Sequence, residues 1–383
     1  MRSLILNNII NTRRNLNLVL QHVKILREGQ AYSTSVPLLP DPAALKILPE
    51  NDIKEFNSYY PIVRNDIVTN KLVSDIPKLN ERLERMLDYN AKEGRKLRPY
   101  LMIATYKYFT NEEDRTPENI RLMNILGWFI ELMNAAYVMQ DDIVDNSETR
   151  RGKPTWFKCK DVGINAVFDA SLIESTCIQL LKTHFSAHKN YNKMLDAFLE
   201  MLRMTRVGFV VEAATVFDEF SEDLYYVIAQ HKMGYYLLQF TTTLGTLLAN
   251  KEDLMICQKA GRVFNELGCL YTIQNDFMDL YGEQTTGKLG SDIQEGQCTW
   301  PIIMALQKAS PTQRNVLKEN YGSYDTKKIN RVKEIYDELN ILDQYDVVLK
   351  QSYKRIENEI VKISDDYVRV FTEKLVDIFF RKN

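Results

Sequence analysis

From about Ile53 to the C-terminus, apolar residues recur at three- and four-residue spacing, broken by short polar or Gly/Pro turns, and strict alternation is almost absent. That period belongs to helices burying one face, and the alternation that strands require is missing. The spacing therefore predicts an all-α chain. A length of 383 residues would allow two domains, yet no low-complexity tract or fixed-period repeat divides it. We expect one domain over residues 46–383, a helical bundle with 45% hydrophobic residues to fill its core.

Residues 1–45 differ. Arg2, Arg13, Arg14, Lys24 and Arg27 are basic, Glu28 is the only acid in the first forty, and Leu and Ile recur between them. This composition predicts a mitochondrial transit segment; without import, the chain would be cytoplasmic. No run reaches the about 18 apolar residues of a membrane span, so no integral membrane segment is expected. A formal net charge of −2 gives no basic footprint for nucleic acid. The five cysteines form no CxxC pair, which suits a reducing compartment, and His184 and His188 lack a third ligand for a metal.

Thr116-Pro117-Glu118 is a helix start, with a capping hydroxyl, Pro at the first position and an acid in the first turn. The helix it opens runs to Asp145 and ends in Asp141-Asp142-Ile143-Val144-Asp145. Asp141 and Asp145 are four apart, so they share a face and can both offer oxygen to a hard cation, with Asp142 beside them. A second helix, read from about Asp253 to Tyr281, ends in Asn275-Asp276-Phe277-Met278-Asp279, and Asn275, Asp279 and Glu283 fall on one stripe. Each motif is followed by a basic, Gly-containing loop: Arg150, Arg151 and Lys153 after the first, Lys288 after the second. Paired carboxylate clusters with adjacent cations describe a magnesium-dependent diphosphate clamp, since a diphosphate leaves carbon only when its charge is neutralised. Among 21 Tyr and 16 Phe there are rings enough to line an apolar cavity beside it.

With Thr149-Arg150-Arg151-Gly152, Gln274-Asn275-Asp276, Gly287-Lys288-Leu289-Gly290-Ser291-Asp292 and Cys298-Thr299-Trp300, these motifs resemble the trans-prenyltransferase family, in particular its farnesyl diphosphate synthases. The resemblance implies an isoprenoid synthase-type bundle around a central cavity, assembled as a homodimer. It implies Asp141, Asp142, Asp145, Asn275, Asp276, Asp279 and Glu283 around magnesium, three ions in all. Arg150, Lys232 and Lys288 would contact the allylic diphosphate, with Arg98, Arg151, Asn134 and Tyr137 also meeting substrate.

Several positions depart from the family pattern. The Gly-Lys-x-x-Arg segment that holds isopentenyl diphosphate reads Gly94-Arg95-Lys96-Leu97-Arg98, and Arg is a wide fork where Lys is a compact point charge. The Gln seven residues before the first motif is Asn134, the Thr after Lys232 is Met233, and the Gln three residues before the second motif is Thr272. Asn275, Asp279 and Glu283 resemble the metal triad of terpene synthases. Ala136 beside Tyr137 removes one of two floor rings, implying a deeper cavity. Together, these changes at an otherwise intact clamp predict a terpene synthase that cyclises farnesyl diphosphate to a sesquiterpene. The alternative is a farnesyl or geranyl diphosphate synthase, and a third reading is an inactive regulatory partner of one.

Overall fold

The computed structural model describes residues 47–281 and 290–380. The transit expectation for residues 1–45 and the ligand expectations for Glu283 and Lys288 lie outside them. The described chain is helical, as expected: α1 (Glu50–Ser58), α2 (Tyr60–Val68), α3 (Pro77–Asn90), α4 (Leu97–Phe109), α5 (Pro117–Val144), α6 (Ala166–Phe185), α7 (Tyr191–Ala214), α8 (Glu222–Ala229), α9 (Thr241–Leu248), α10 (Ile256–Tyr281), α11 (Trp300–Lys308), α12 (Pro311–Asn320), α13 (Thr326–Glu338), α14 (Ile341–Ile360) and α15 (Asp366–Phe380). Among the described residues the strands are two residues each, β1 (Thr149–Arg150) and β2 (Lys153–Pro154), paired antiparallel with Arg150 opposite Lys153.

α5 forms where the sequence places it. The Thr116 hydroxyl accepts from Asn119 N at 3.2 Å, and Pro117 occupies the first turn, where its missing N–H costs nothing. Apolar residues on nearly all sides make this the central helix. Trp128 stacks on Phe56 at 4.8 Å, and its indole N–H donates to Phe56 O. α5 is long and apolar enough to cross a membrane, but 89% of its most apolar window is buried inside the protein. The stretch Gly163–Phe185 passes the same length test and is only 39% buried, so it presents Ile164, Val167, Phe168 and Ile178 outward.

Three apolar cores fill the bundle. The largest gathers α1–α7 with α9, the second packs α10 against α14, α15 and one side of α4, and the third packs the end of α10 against α11, α13 and α14. Between α8 and α9 the chain is π-helical over Gln230–Phe240, a widened turn that recurs at functional sites. It lies against α7 and α10 through glycines: a Cβ on Gly208 would come within 2.8 Å of Lys232 N, and one on Gly268 within 2.3 Å of Gly234 Cα. No side chain fits at those contacts, so three helices approach backbone to backbone beside Lys232.

Candidate active site

Asp141 and Asp145 stand one turn apart at the end of α5, with Asp145 as its C-cap. From the π-helical stretch, the Lys232 ammonium reaches Asp141 at 2.9 Å and also pairs with Glu212 of α7. Burial opposes the charge on Lys232, but Asp141 and Glu212 outweigh it and hold its pKa above the usual lysine value. Asp145 is the reverse case. Burial, with Asp141, Glu212 and Glu295 nearby, pushes its carboxyl up to about 8 despite Lys232. Such crowded acids are what a bound cation would relieve.

Asp142 points away from this pair and is buried. Arg150 Nε and Nη2 both donate to its Oδ1, at 2.9 and 2.5 Å. The β1–β2 turn makes this possible, because Arg151 and Gly152 both take positive φ, as a tight two-residue hairpin requires. Asp142, expected beside the metal, is here paired with Arg150.

The second motif is less open than its stripe suggests. Asn275 is exposed, while Asp276 and Asp279 are buried. Asp276 Oδ2 accepts from the Tyr225 hydroxyl and from Trp300 N, both at 2.9 Å. Burial pushes its carboxyl up to about 7 against those two donors. Asp276, expected among the metal ligands, lies one residue off the stripe and ties α10 to α11 through these two donors. Asp279 Oδ2 accepts from Ser291 N and Asp292 N at 2.9 and 3.1 Å. Beside these acids lies a shallow cleft with about 370 Å³ of empty space, open solvent included, bounded by Asp292, Thr299 and Lys333.

A second basic cluster sits further up α5. Arg98 Nη1 donates to Asn134 Oδ1 at 2.8 Å, Nη2 lies 3.1 Å from Met233 Sδ, and the guanidinium stacks over the Tyr236 ring at 4.5 Å. Arg151 donates to Asn90 O at 3.0 Å and to Glu93 O. Among these cations, Glu131 is fully buried, and burial pushes it up to about 7 although Lys96, Arg151 and Arg98 pull it down. Two positions that the sequence marks as departures, Asn134 and Met233, thus both meet Arg98. Arg95 is exposed, and the Thr272 hydroxyl bonds Gly268 O within its own helix. Tyr137, at the expected floor, is packed: its ring meets Phe209 and Tyr236 at 5.8 and 5.4 Å, its hydroxyl meets Met201, and Arg206 covers its face. The floor is closed by these partners, and the ring missing at Ala136 does not leave Tyr137 alone.

Sequence reasoning missed Glu212 and Glu131. Each is an acid set in an apolar helical run, Phe209-Val210-Val211 before one and Trp128-Phe129-Ile130 before the other, a buried-charge pattern that signals a partner.

The polyprenyl synthetase family profile matches residues 80–339. A farnesyl pyrophosphate synthase of Murgantia histrionica is 35% identical over 82% of this chain and 78% of its own length. A geranyl diphosphate synthase of Ips pini is 31% identical over 86% of this chain and 83% of its own. The crystal structure of T. brucei farnesyl diphosphate synthase superposes with a TM-score of 0.79 at 25% identity, covering 86% of this chain and all of that one. The site and fold therefore have an owner: the chain belongs to the polyprenyl synthetase family.

The terpene synthase expectation is corrected by these matches, which are to prenyl diphosphate synthases over most of the chain. Of the substituted positions, Asn134 and Met233 both meet the retained Arg98, so that basic site persists beside the changes from which cyclisation was expected. The family uses magnesium in catalysis, and the residues fit it. The donors are all oxygen, as a hard cation needs, and among the described residues no three acids enclose an ion by themselves. Magnesium keeps several waters and completes its shell with substrate phosphates, so an open half-site is the suitable kind.

Proposed function

We propose that the chain is a prenyltransferase, a farnesyl or geranyl diphosphate synthase that joins isopentenyl diphosphate to an allylic diphosphate. The observation that carries this reading is the presence of two anion-binding clusters, Lys232 with Arg150 at one and Lys96, Arg98 and Arg151 at the other. They are spaced along α5 by Asn134 and Asp141, seven residues or about 10 Å at helical rise. Condensation must seat two diphosphates and cyclisation only one. The names of the relatives agree.

In this reading Asp141, Asp145, Asn275 and Asp279, with Glu283, hold up to three magnesium ions, which supply the charge that lets diphosphate depart. Lys232 leaves its ion pair with Asp141 to meet the allylic diphosphate, and Arg150 is aimed at the same group by Asp142. Arg98, with Asn134 fixing its fork, and Arg151 orient the second diphosphate so that its double bond faces the ionising carbon. Tyr137, Phe209 and Tyr236 exclude water from the developing cation and limit chain length. The exposed apolar face of Gly163–Phe185 supports a homodimer. Residues 1–45 are proposed as a mitochondrial import segment ahead of one domain over 46–383; a fluorescent fusion that stays cytosolic would reject this.

The test supplies magnesium and incubates the protein with labelled isopentenyl diphosphate plus dimethylallyl or geranyl diphosphate. Longer labelled diphosphates are expected. Failure to consume isopentenyl diphosphate would defeat the reading.

A further inference from the structure

Gln297 lies outside both acidic motifs, yet its side-chain amide donates to Asp145 Oδ1 at 2.7 Å, joining segments 152 residues apart. The turn that presents it is fixed from several sides. Residues Asp292–Glu295 make one helical turn, and Gly296 ends it with φ of 71°. Gln297 N donates to Asp292 O at 3.0 Å, while its carbonyl accepts from Thr299 N at 3.0 Å and from the Tyr321 hydroxyl at 2.7 Å. Gly322 N donates to Ile293 O at 2.9 Å, and a Cβ on Gly296 would lie 3.2 Å from Gly322 Cα, so the turn is backed against the α12–α13 connection. Ser147 Oγ meets Glu295 Oε1 at 3.4 Å alongside.

Asp145 needs this support. As the C-cap of α5 it stands at the free end of the helix, and Lys232 is committed to Asp141 and Glu212. Among the described residues, Gln297 is the side chain that donates a hydrogen bond to it. An amide suits the task, because it fixes a carboxylate rotamer and adds no charge that would repel a divalent cation.

We propose that Gln297 is a positioning residue for the first acidic motif, holding Asp145 in the rotamer that meets a divalent cation, from a turn locked independently of the diphosphate site. This rests on the diphosphate reading above. Gln297→Met keeps side-chain length and removes the donor; Tyr321→Phe keeps Gln297 but removes one of the two donors to its carbonyl. The full chain and both variants are titrated calorimetrically with Mg²⁺ in the presence of inorganic pyrophosphate, and their melting is followed without metal.

Gln297→Met should raise the Mg²⁺ needed for half-saturation by about 10-fold, the usual cost of losing a partner of a metal ligand. Tyr321→Phe should shift it less, in the same direction, and pyrophosphate affinity at saturating Mg²⁺ should be restored in both. A lowered melting temperature with an unchanged Mg²⁺ midpoint would make Gln297 merely structural and overturn the proposal. So would a loss of pyrophosphate affinity that saturating Mg²⁺ fails to restore, which would mark a direct ligand contact. Wild-type protein binding pyrophosphate with no metal dependence would overturn the diphosphate reading itself, seen without any variant, and the role of Gln297 with it.

Discussion

Replacing Gly268 by Ala should slow the proposed condensation through backbone packing alone. The added Cβ would lie 2.3 Å from Gly234 Cα and 3.2 Å from Gly234 N. Carbon atoms rest at roughly 3.5–4.0 Å, so α10 and the π-helical stretch must part by about 1.2 Å or more. Overpacking of this kind costs about 1–3 kcal/mol. The larger effect is on geometry: Lys232 and Met233 immediately precede Gly234, and a shift near 1 Å at a catalytic group lowers rates by about 100-fold. Steady-state condensation assays with melting curves read both terms. Gly261→Ala is the control, since it lies on the same helix and meets only Gln239 Oε1 at 3.8 Å. If the two alanine variants share the same kcat, the argument that this backbone contact sets the position of Lys232 is refuted.

Three further outcomes are expected. Glu131 holds its proton to about 7 in the fold and releases it near 4.3 when unfolded, so the folded chain binds more protons between those values and this group lowers stability as pH rises through them. The cost reaches at most about 4 kcal/mol, and chemical denaturation from pH 4.5 to 7.5 should show Glu131→Gln lacking that decline. Asp142→Asn leaves Arg150 without a charged partner and should reduce kcat on the order of 10- to 100-fold, the worth of a charge-assisted hydrogen bond, in the same assay. Phe168→Asp, at a side chain 73% exposed on α6, should convert a dimer to monomer by light scattering; an unchanged mass would place the interface elsewhere.

Helix placement was legible because α5 carries its own start and stop: the cap at Thr116 and the polar run after Asp145 act locally. The first motif and the basic hairpin were legible for the same reason, being near neighbours in sequence. What sequence did not disclose is tertiary. Glu212 becomes part of the site only through Lys232, Gln297 only through Asp145, and Asp276 is withdrawn from it by Tyr225 and Trp300. Helical periodicity placed Asn275 and Asp279 on one stripe, but periodicity carries no information about which donors arrive from α8 and α11. The cyclase expectation has the same origin: Asn134 looks too short until Arg98 is seen reaching it.

The run from α8 through the π-helical stretch to α9 lends side chains to all three cores: Tyr225 and Ile228 to one, Leu237 and Leu238 to another, Tyr236 and Phe240 to the third. Lys232 thus rides where three dry blocks abut, and the ties it faces across that seam are ion pairs and hydrogen bonds. These pairs are largely buried, and removing one partner of a buried pair costs about 3–5 kcal/mol. The place of the ammonium is therefore set jointly by all three blocks, and a packing change that shifts any one of them reaches Lys232 through the close backbone contacts at Gly208 and Gly268.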